Sequence, residues 1–321
     1  MAEDLAVVID DSEVLSGLCG PNDTHLAIME ELLGHPVRSR GNEIHLEGAS
    51  QKDQSLFNSL IDSLAVMIRS GRRITPDLIR AGFAPLSQGD TRGTRLLRET
   101  GVVIPGGVRP VHPRGVNQAR FLELLQQREL VFAVGPAGTG KTYLAVAHAL
   151  RALITREVRK LILTRPVVEA GESLGYLPGD LTQKLGPYLR PLQDAIEHLL
   201  PADVLSRLQE QNAIEVAPLA YMRGRSLMDS FVILDEAQNT TKGQMKMFLT
   251  RLGEGSRMVV TGDLSQVDLG NRQQSGLHHA LALLQGTQGI GVQRFRAADV
   301  VRHPLVRRIV AAYDSDGGDG E

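Results

Sequence analysis

Short apolar runs alternate with longer stretches of helical apolar spacing through the C-terminal two thirds of the chain. The short runs have the length of buried strands, and strands that alternate with helices are typical of a parallel sheet covered on both faces. We therefore predict an α/β domain over residues 114–313. Its candidate strands are residues 130–134, 161–164, 213–217, 231–235, 257–261 and 290–293.

The N-terminal region has a different pattern, in which isolated apolar runs are mixed with amphipathic stretches. Leu5 to Ile9 and Ile44 to Leu46 predict strands. Thr24 to Leu33 and Leu56 to Ile68 have the apolar spacing of helices. These elements favour a small α+β domain over residues 1–83.

Glycine, proline and arginine are frequent in residues 84–113, for example in Pro105-Gly106-Gly107. This composition predicts a linker with one short helix between the two domains. Residues 314–321 are acidic and rich in glycine, so we expect a disordered tail there.

The composition restricts the kinds of site that the chain can form. Of its 321 residues, 42% are hydrophobic, which is enough for ordinary buried cores. Tryptophan is absent and the formal net charge is −2, which argues against an aromatic stacking platform and against a global basic field that attracts nucleic acid. Any RNA or DNA site must therefore be local.

Two further features bear on the cellular compartment. The single cysteine, Cys19, excludes an intramolecular disulfide and a multi-cysteine metal site. No stretch approaches the length of a transmembrane span, and the acidic N-terminus lacks the layout of a signal peptide. We expect a cytoplasmic protein without a membrane partner.

A glycine-rich segment follows the apolar run at residues 130–134. Its sequence is Gly135-Pro136-Ala137-Gly138-Thr139-Gly140-Lys141-Thr142, the pattern of a phosphate-binding P-loop between a strand and a helix. Backbone N–H groups of such a loop, with the positive end of the helix dipole, surround phosphate oxygens. Lys141 can reach the β- and γ-phosphates, and the Thr142 hydroxyl can ligate Mg²⁺. The alternative is a glycine turn that only caps a helix.

Two adjacent carboxylates end another apolar run, Phe231-Val232-Ile233-Leu234-Asp235-Glu236. Beside a P-loop this is the Walker B strand, in which Asp235 would hold Mg²⁺ directly or through water. Glu236 would orient the attacking water or accept its proton, which favours a hydrolase. The alternative is a strand end that turns into solvent through two exposed acids.

Polar residues also follow the candidate strand at residues 257–261, at the edge of a wound sheet where ligands bind. Gln266 or Thr261 can sense the γ-phosphate or position water there, and the alternative is a Gly-Asp turn without ligand contact. Upstream of the P-loop, the Gln118 amide can pair with the edge of adenine. Equally, Gln118 can be a polar residue that opens a helix.

Several other segments are candidates for contacts with phosphate. Thr164 and Arg165 can contact nucleic-acid phosphates or a neighbouring subunit, or they form an ordinary strand exit. Residues 169–179 have the composition of a mobile loop. Candidates for a second cation on the transferred phosphoryl group, each also consistent with surface charge, are Arg223, Arg225, Arg302, Arg307 and Arg308.

The segment Gly17-Leu18-Cys19-Gly20 has the G-x-x-G form with which KH domains clamp a nucleic-acid backbone. The basic residue that usually lies between the glycines is missing. RNA binding by the N-terminal domain therefore stays open.

With these motifs assembled, the chain resembles PhoH-like proteins of the full-length cytoplasmic type, which carry an N-terminal KH-like domain. The resemblance runs from about residue 5 to about residue 313 and is densest from Val116 to Asp268. It rests on Asn117-Gln118, Gly135 to Ala145, Thr164-Arg165-Pro166, Glu169 to Glu172, Leu174-Gly175, Tyr221 to Arg225, Asp235 to Asn239, Thr261-Gly262-Asp263 with Gln266, and Asp299 to Pro304.

The resemblance implies an ATPase that uses ATP and Mg²⁺ and has a RecA-like core similar to the first motor domain of superfamily 1 helicases. It also implies a role in RNA metabolism, either as an RNA helicase or with an endoribonuclease of ribosomal RNA maturation. Such helicases use two motor domains, and too little chain follows Gln266 to form a second one. We therefore expect a head-to-tail homo-oligomer, a ring such as a hexamer, in which Arg302 is the first candidate for an arginine supplied in trans.

The leading hypothesis is Mg²⁺-dependent ATP hydrolysis coupled to RNA remodelling. Lys141 and the loop amides would stabilise charge, Thr142 and Asp235 would hold the metal, and Glu236 would activate water. The first alternative is a nucleotide-switched oligomeric platform that recruits a nuclease without unwinding RNA. The second is a small-molecule kinase, which the paired acids disfavour because a kinase must prevent attack by water.

Overall fold

The computed structural model describes residues 3–166, 181–269, 275–301 and 305–306. The chain divides into two compact units. We call Met1–Gly101 with His112–Glu123 the N-terminal unit, and Val102–Val111 with Leu124–Glu321 the P-loop unit. Arg302, Arg307, Arg308, residues 169–179 and residues 314–321 lie outside the described residues.

The N-terminal unit contains an antiparallel sheet with the strand order β1-β3-β2. Its strands are β1 (Glu3–Val8), β2 (Val37–Arg40) and β3 (Glu43–Ala49). Its helices are α1 (Ser12–Cys19), α2 (Thr24–Leu33), α3 (Gln51–Arg69), α4 (Pro76–Ser87) and α5 (Thr91–Glu99). The prediction of a small α+β fold at the N-terminus is confirmed.

Helix α3 supplies much of the core of this unit, because its apolar residues recur on one face. Phe57, Leu60 and Leu64 are fully buried, and each such side chain contributes roughly 1.5–3 kcal/mol of hydrophobic free energy. The Ser50 hydroxyl accepts a hydrogen bond from the N–H of Asp53 at 3.3 Å and so caps the N-terminus of the helix.

The segment 84–113 contains the end of α4 and one complete short helix, α5. A buried guanidinium holds α5 and the C-terminal end of the segment. Arg72 donates to the backbone carbonyl oxygens of Leu97 and Pro113, both at 2.7 Å. Burial lowers the pKa of Arg72 to about 10, so the group is charged at neutral pH and its hydrogen bonds are charge-assisted.

The P-loop unit contains a parallel sheet with the strand order β6-β5-β7-β8-β4-β9. Its strands are β4 (Leu130–Val134), β5 (Lys160–Arg165), β6 (Ile214–Pro218), β7 (Ser230–Leu234), β8 (Arg257–Gly262) and β9 (Ile290–Arg294). All six lie where the apolar runs predict them. Strands β4 and β7 are buried along their whole length, as expected for a sheet covered on both faces.

The remaining helices lie before β4 and between all consecutive strands of this sheet except β6 and β7. They are α6 (Val116–Gln127), which has residues in both units, α7 (Lys141–Ile154), α8 (Leu181–Glu197), α9 (Ala202–Glu210), α10 (Lys242–Leu249) and α11 (Gly276–Leu284). Within the described ranges, none of the helices combines the length and the apolar character needed to cross a bilayer.

The topology brings the predicted site segments to one edge of the sheet. Strand β8 pairs with both β4 and β7, and β7 pairs with β5. All these pairings are parallel, so the P-loop after β4, the acids after β7 and the turn after β8 follow the carboxyl ends of neighbouring strands. Ligands bind at this edge in wound α/β sheets. The predicted RecA-like α/β fold is confirmed.

Helix α7 carries a fully buried histidine. His148 is 0% exposed, and its ring centroid lies 5.7 Å from that of Phe231. Burial, together with the positive charges of Arg151 and Arg257, lowers the pKa of His148 to about 3. The imidazole is therefore neutral in the folded protein at physiological pH.

We expect His148 to make the folded state sensitive to acid. In the unfolded chain an imidazole takes up a proton below about pH 6.5. The free energy of unfolding should therefore fall by about 2 kcal/mol between pH 7.5 and pH 5.0 through this residue alone. Urea denaturation at both pH values should show a smaller fall for His148→Leu than for the unsubstituted protein.

The exposed residue His279 provides the matched control for this experiment. His279→Leu also removes one imidazole and should leave the fall in stability unchanged. Because the comparison uses the difference between two pH values, a general loss of stability in His148→Leu does not affect it. An equal fall in all three proteins would show that His148 is not the acid-sensitive group.

Candidate nucleotide-binding site

The P-loop makes a tight turn between β4 and α7. Gly135 has φ +142°, and a Cβ at this position would lie 2.4 Å from the carbonyl oxygen of Phe295, so only glycine fits. Gly140, with φ +80°, precedes the first turn of α7, which has no side-chain cap. The N–H groups of that turn therefore have the arrangement that binds phosphate at helix N-termini.

The Lys141 ammonium group lies inside this loop. Its Nζ donates to the carbonyl oxygens of Gly135 at 2.6 Å and Pro136 at 2.8 Å. Lys141 is 8% exposed. Burial lowers the pKa of Lys141, and the charges of Asp263, Asp235 and Glu236 act in the opposite direction. The loop thus holds one desolvated cation among three carboxylates.

Asp235 is fixed by two hydroxyl groups. Its Oδ1 accepts hydrogen bonds from Thr142 Oγ1 at 2.7 Å and from Thr261 Oγ1 at 2.6 Å. Its backbone N–H donates to the carbonyl oxygen of Thr164 at 2.9 Å. These bonds bring the first turn of α7 and the ends of β5, β7 and β8 together around one carboxylate.

Glu236 follows in a left-handed backbone conformation, with φ +51°. This conformation costs a residue with a side chain on the order of 1 kcal/mol and turns the chain sharply at the end of β7. Its carboxylate pairs with Arg165, whose Nη2 lies 2.9 Å from Oε1. Gln238 Nε2 donates to Oε2 at 2.5 Å.

Gln238 connects Glu236 to the turn after β8. Gln238 is 1% exposed, and its Oε1 accepts a hydrogen bond from the N–H of Asp263 at 3.0 Å. The Asp263 carboxylate in turn accepts from the P-loop N–H of Ala137 at 3.1 Å and from the Ser265 hydroxyl at 2.6 Å. One buried amide therefore links the paired acids to the P-loop through Asp263.

These segments enclose a pocket of about 240 Å³. Its walls contain five of the eight P-loop residues, the two adjacent acids Asp235 and Glu236, and Gln266. The lining residues are Ala137, Gly138, Gly140, Lys141, Thr142, Tyr143, Asp235, Glu236, Gly262, Asp263 and Gln266.

The residues of the pocket fit a nucleoside triphosphate with Mg²⁺. The Thr142 hydroxyl and the Asp235 carboxylate lie 2.7 Å apart and are hard oxygen donors, which Mg²⁺ prefers. A desolvated lysine and an uncapped helix N-terminus supply positive charge for the phosphates. The Gly135 position, which a Cβ would block, keeps the loop compact beside them.

Two threonines, Thr164 and Thr261, are too deeply buried for the roles that the sequence suggested. Thr164 is 0% exposed, so its side chain cannot contact nucleic acid as the sequence suggested. Thr261 is also 0% exposed and bonds to Asp235, which makes it a support for the acid rather than a phosphate sensor. Both residues are buried at the next-to-last position of their strands, β5 and β8.

Of the five arginine candidates, Arg223 and Arg225 lie among the described residues. Arg225 makes two bonds to Glu215, at 2.6 and 2.9 Å, and the hydrogen bonds of this pair, with that of Lys160, lower the pKa of Glu215 to about 2. Arg225 is therefore engaged in an ion pair within the P-loop unit. Arg223 is exposed. Val301, the residue before the undescribed Arg302, donates its N–H to the carbonyl oxygen of Gly138 at 2.9 Å.

Gln118 and the Gly17–Gly20 segment belong to the N-terminal unit. Gln118 is 6% exposed, and its Oε1 accepts a hydrogen bond from the N–H of Arg114 at 2.7 Å. Leu18, between the two glycines, is 0% exposed and belongs to the core. Recognition of adenine by Gln118 and of RNA by this segment stay predictions.

Sequence reasoning gave no role to Asp263 and did not foresee the pairing of Arg165 with Glu236. Asp263 is a polar residue directly after a buried strand, a position that often belongs to a site. Its partner on the P-loop, Ala137, is 126 residues away in the chain, so the sequence does not show the pairing. Gln238 lay inside a recognised motif without a function of its own. Each of these pairings depends on which strands are neighbours.

The fold and the pocket define a P-loop nucleotide-binding domain of the RecA-like class. The family model described as "PhoH-like protein" matches residues 110–314. The chain is 46% identical to the PhoH-like protein of Bacillus subtilis over 302 residues, which is 94% of each chain. This chain belongs to the PhoH-like family.

Other relatives agree with that assignment. The PhoH-like protein of Mycobacterium leprae is 44% identical over 301 residues, 94% of this chain and 86% of that one. Protein PhoH of Escherichia coli is 44% identical over 206 residues, 64% of this chain and 58% of that one. A solved SWI2/SNF2 ATPase core from Sulfolobus solfataricus, in complex with dsDNA, has 14% identity and a TM-score of 0.32 over 55% of this chain and 43% of that one, too low to carry an argument.

Proposed function

We propose that the chain hydrolyses ATP to ADP and phosphate with Mg²⁺ and couples this reaction to the binding and remodelling of RNA. The observation that supports hydrolysis most directly is the pocket itself. Its lining includes Lys141, Thr142, Asp235 and Glu236, the four residues with the chemistry that the reaction needs.

Each of these residues has a distinct task. Lys141 and the N–H groups at the start of α7 bind phosphate oxygens and offset the charge that develops on them. Thr142 and Asp235 would hold Mg²⁺, which neutralises phosphate charge when bound. Glu236 takes a proton from the attacking water as its oxygen bonds to the γ-phosphorus and the bond to the β-phosphate oxygen breaks. Gln266, on the pocket wall, positions that water or senses the γ-phosphate.

Further parts of the proposal rest on the family resemblance. We assign adenine recognition to Gln118 and an arginine in trans, with Arg302 as first candidate, to a neighbouring subunit of a ring-shaped homo-oligomer. RNA is the proposed macromolecular partner in the cytoplasm, and an endoribonuclease of ribosomal RNA maturation is a second partner. Arg165, the last residue of β5 at the ligand edge of the sheet, is a local basic group that contacts Glu236 at 2.9 Å.

Phosphate release from ATP tests the proposal directly. We expect release with Mg²⁺, none with EDTA, a faster rate with single-stranded RNA, and displacement of a labelled strand from a short RNA duplex. Light scattering of the same sample should show a mass that corresponds to several subunits. A monomer with and without ATP would contradict the trans arginine.

The alternatives give different results in the same assays. A nucleotide switch would bind ATP with a hydrolysis rate that RNA leaves unchanged and with duplexes left intact. A small-molecule kinase would move phosphate from ATP to an acceptor rather than to water. A protein that leaves ATP untouched with and without RNA would overturn the assignment of hydrolysis.

A further inference from the structure

The Glu236 carboxylate is held by two donors from different parts of the P-loop unit. Arg165 Nη2 lies 2.9 Å from Oε1, and Gln238 Nε2 donates to Oε2 at 2.5 Å. Oε2 of the proposed base therefore already accepts a hydrogen bond, and Oε1 is already ion-paired. The pair is only partly buried, with the side chains of Arg165 and Glu236 exposed by 22% and 33%.

The two donors differ in how freely they can leave. Gln238 is 1% exposed and is fixed at its other end by the N–H of Asp263 at 3.0 Å. Arg165 has one further described partner, the carbonyl oxygen of Tyr188, at the longer distance of 3.2 Å. A guanidinium that is partly exposed can exchange its carboxylate for another anion, so Arg165 is the donor that can be released.

A base that is ion-paired is a restrained base. General base catalysis requires a lone pair of the carboxylate to be directed at the attacking water. The contact with Arg165 fixes the orientation of the carboxylate and compensates its charge. Loss of this contact would leave Glu236 held by Gln238 alone, with Oε1 available for water.

Phosphodiester groups are suited to remove Arg165 from Glu236. Arginine binds phosphate through two parallel N–H bonds, which are stronger than a single contact to a carboxylate oxygen. Arg165 ends β5 at the ligand edge of the sheet, where an extended strand of nucleic acid can reach it. We propose that a backbone phosphate of single-stranded RNA binds Arg165, releases Glu236 and so couples RNA binding to hydrolysis; this inference rests on the proposed function.

Competition for Arg165 can be measured without hydrolysis. In the absence of nucleotide, the affinity for a fluorescent 12-nucleotide poly(U) strand is followed by anisotropy. Glu236→Gln removes the competing charge and should strengthen RNA binding about three- to tenfold. Arg165→Ala should weaken it about tenfold and reduce the slope of log K against log salt by about 0.7, the value for one phosphate contact on a single strand.

The double variant decides between competition and simple repulsion. If Glu236 acts through Arg165, Glu236→Gln should have no effect on RNA affinity in the Arg165→Ala background. An equal gain in both backgrounds would mean that Glu236 merely repels RNA and would overturn the proposal, as would a failure of the protein to bind RNA. Arg165→Lys, which keeps the charge but not the planar fork, should retain part of the affinity.

A second pair in the same unit provides the control. Arg151 contacts Glu157 at 3.0 Å, with side chains exposed by 29% and 39%, and Arg151 lies in the last turn of α7, away from the P-loop end. Arg151→Ala and Glu157→Gln should leave RNA affinity unchanged. Thermal melting of every variant confirms that it is folded.

Turnover provides the second readout. Arg165→Ala should raise phosphate release without RNA severalfold and abolish the stimulation by RNA, whereas a lower basal rate with stimulation intact would contradict the restraint. The two proposals fail separately. If the effects of Glu236→Gln and Arg165→Ala on RNA affinity depend on each other but no phosphate is released, only the proposal of ATP hydrolysis is refuted. If phosphate release depends on Glu236 but the two effects are independent, only the restraint of Glu236 by Arg165 is refuted.

Discussion

Glu236→Gln is expected to lower ATP turnover by a factor of about 10²–10⁴, the usual contribution of a general base or its loss in related reactions. The amide cannot take a proton from water at any accessible pH. The phosphate-binding residues and the pair formed by Thr142 and Asp235 remain in place. ATP should therefore bind with an affinity within a few fold of normal and stay unhydrolysed.

The measurement combines kinetics with the identity of the bound nucleotide. The variant is mixed with ATP and Mg²⁺, separated from free nucleotide by gel filtration, and analysed for ATP and ADP. ATP should predominate in Glu236→Gln and ADP in the unsubstituted protein. Glu254→Gln is the matched control, because Glu254 is exposed and lies just before β8, at the other edge of the sheet. Turnover within tenfold of normal would remove Glu236 from the role of base.

The prediction of the sheet from sequence succeeded because its strands are buried on both faces. Such strands are apolar throughout and end in polar residues, so β4 and β7 are visible as uninterrupted runs. Strand β2 lacks this signal. Its first residue, Val37, is its one buried position, and the polar residues Arg38, Ser39 and Arg40 follow. It is an edge strand that pairs with β3.

The same distinction applies to the site. Residues that share a short segment, such as Lys141 with Thr142, carry their chemistry in their spacing, and sequence placed them together. The contact of Arg165 with Glu236 arises because β5 pairs with β7 in the register that matches Thr164 with Leu234. No local pattern encodes that register, so the contact of Arg165 with Glu236 is visible only in three dimensions.

Lys141→Ala is expected to weaken ATP binding by at least about 100-fold, equivalent to the loss of one or two charge-assisted hydrogen bonds of roughly 1.5–3 kcal/mol each. The loss has a second cause in this pocket. Asp235, Glu236 and Asp263 all act on the Lys141 charge. Without the lysine, these carboxylates would repel the phosphates, and of the three only Glu236 would keep the cation described above, Arg165.

The fold should survive this substitution, because the ammonium group of Lys141 bonds to two carbonyl oxygens and one hydroxyl group of the P-loop itself. We therefore expect a melting temperature close to normal without nucleotide, but no increase when ATP and Mg²⁺ are added, since stabilisation by a ligand follows its affinity. Lys160→Ala is the control. Lys160 begins β5 at the opposite edge and pairs with Glu215 at 2.7 Å, so ATP should stabilise that variant as it does the unsubstituted protein. If ATP stabilised Lys141→Ala equally well, the cation in the loop would not be what holds the phosphates.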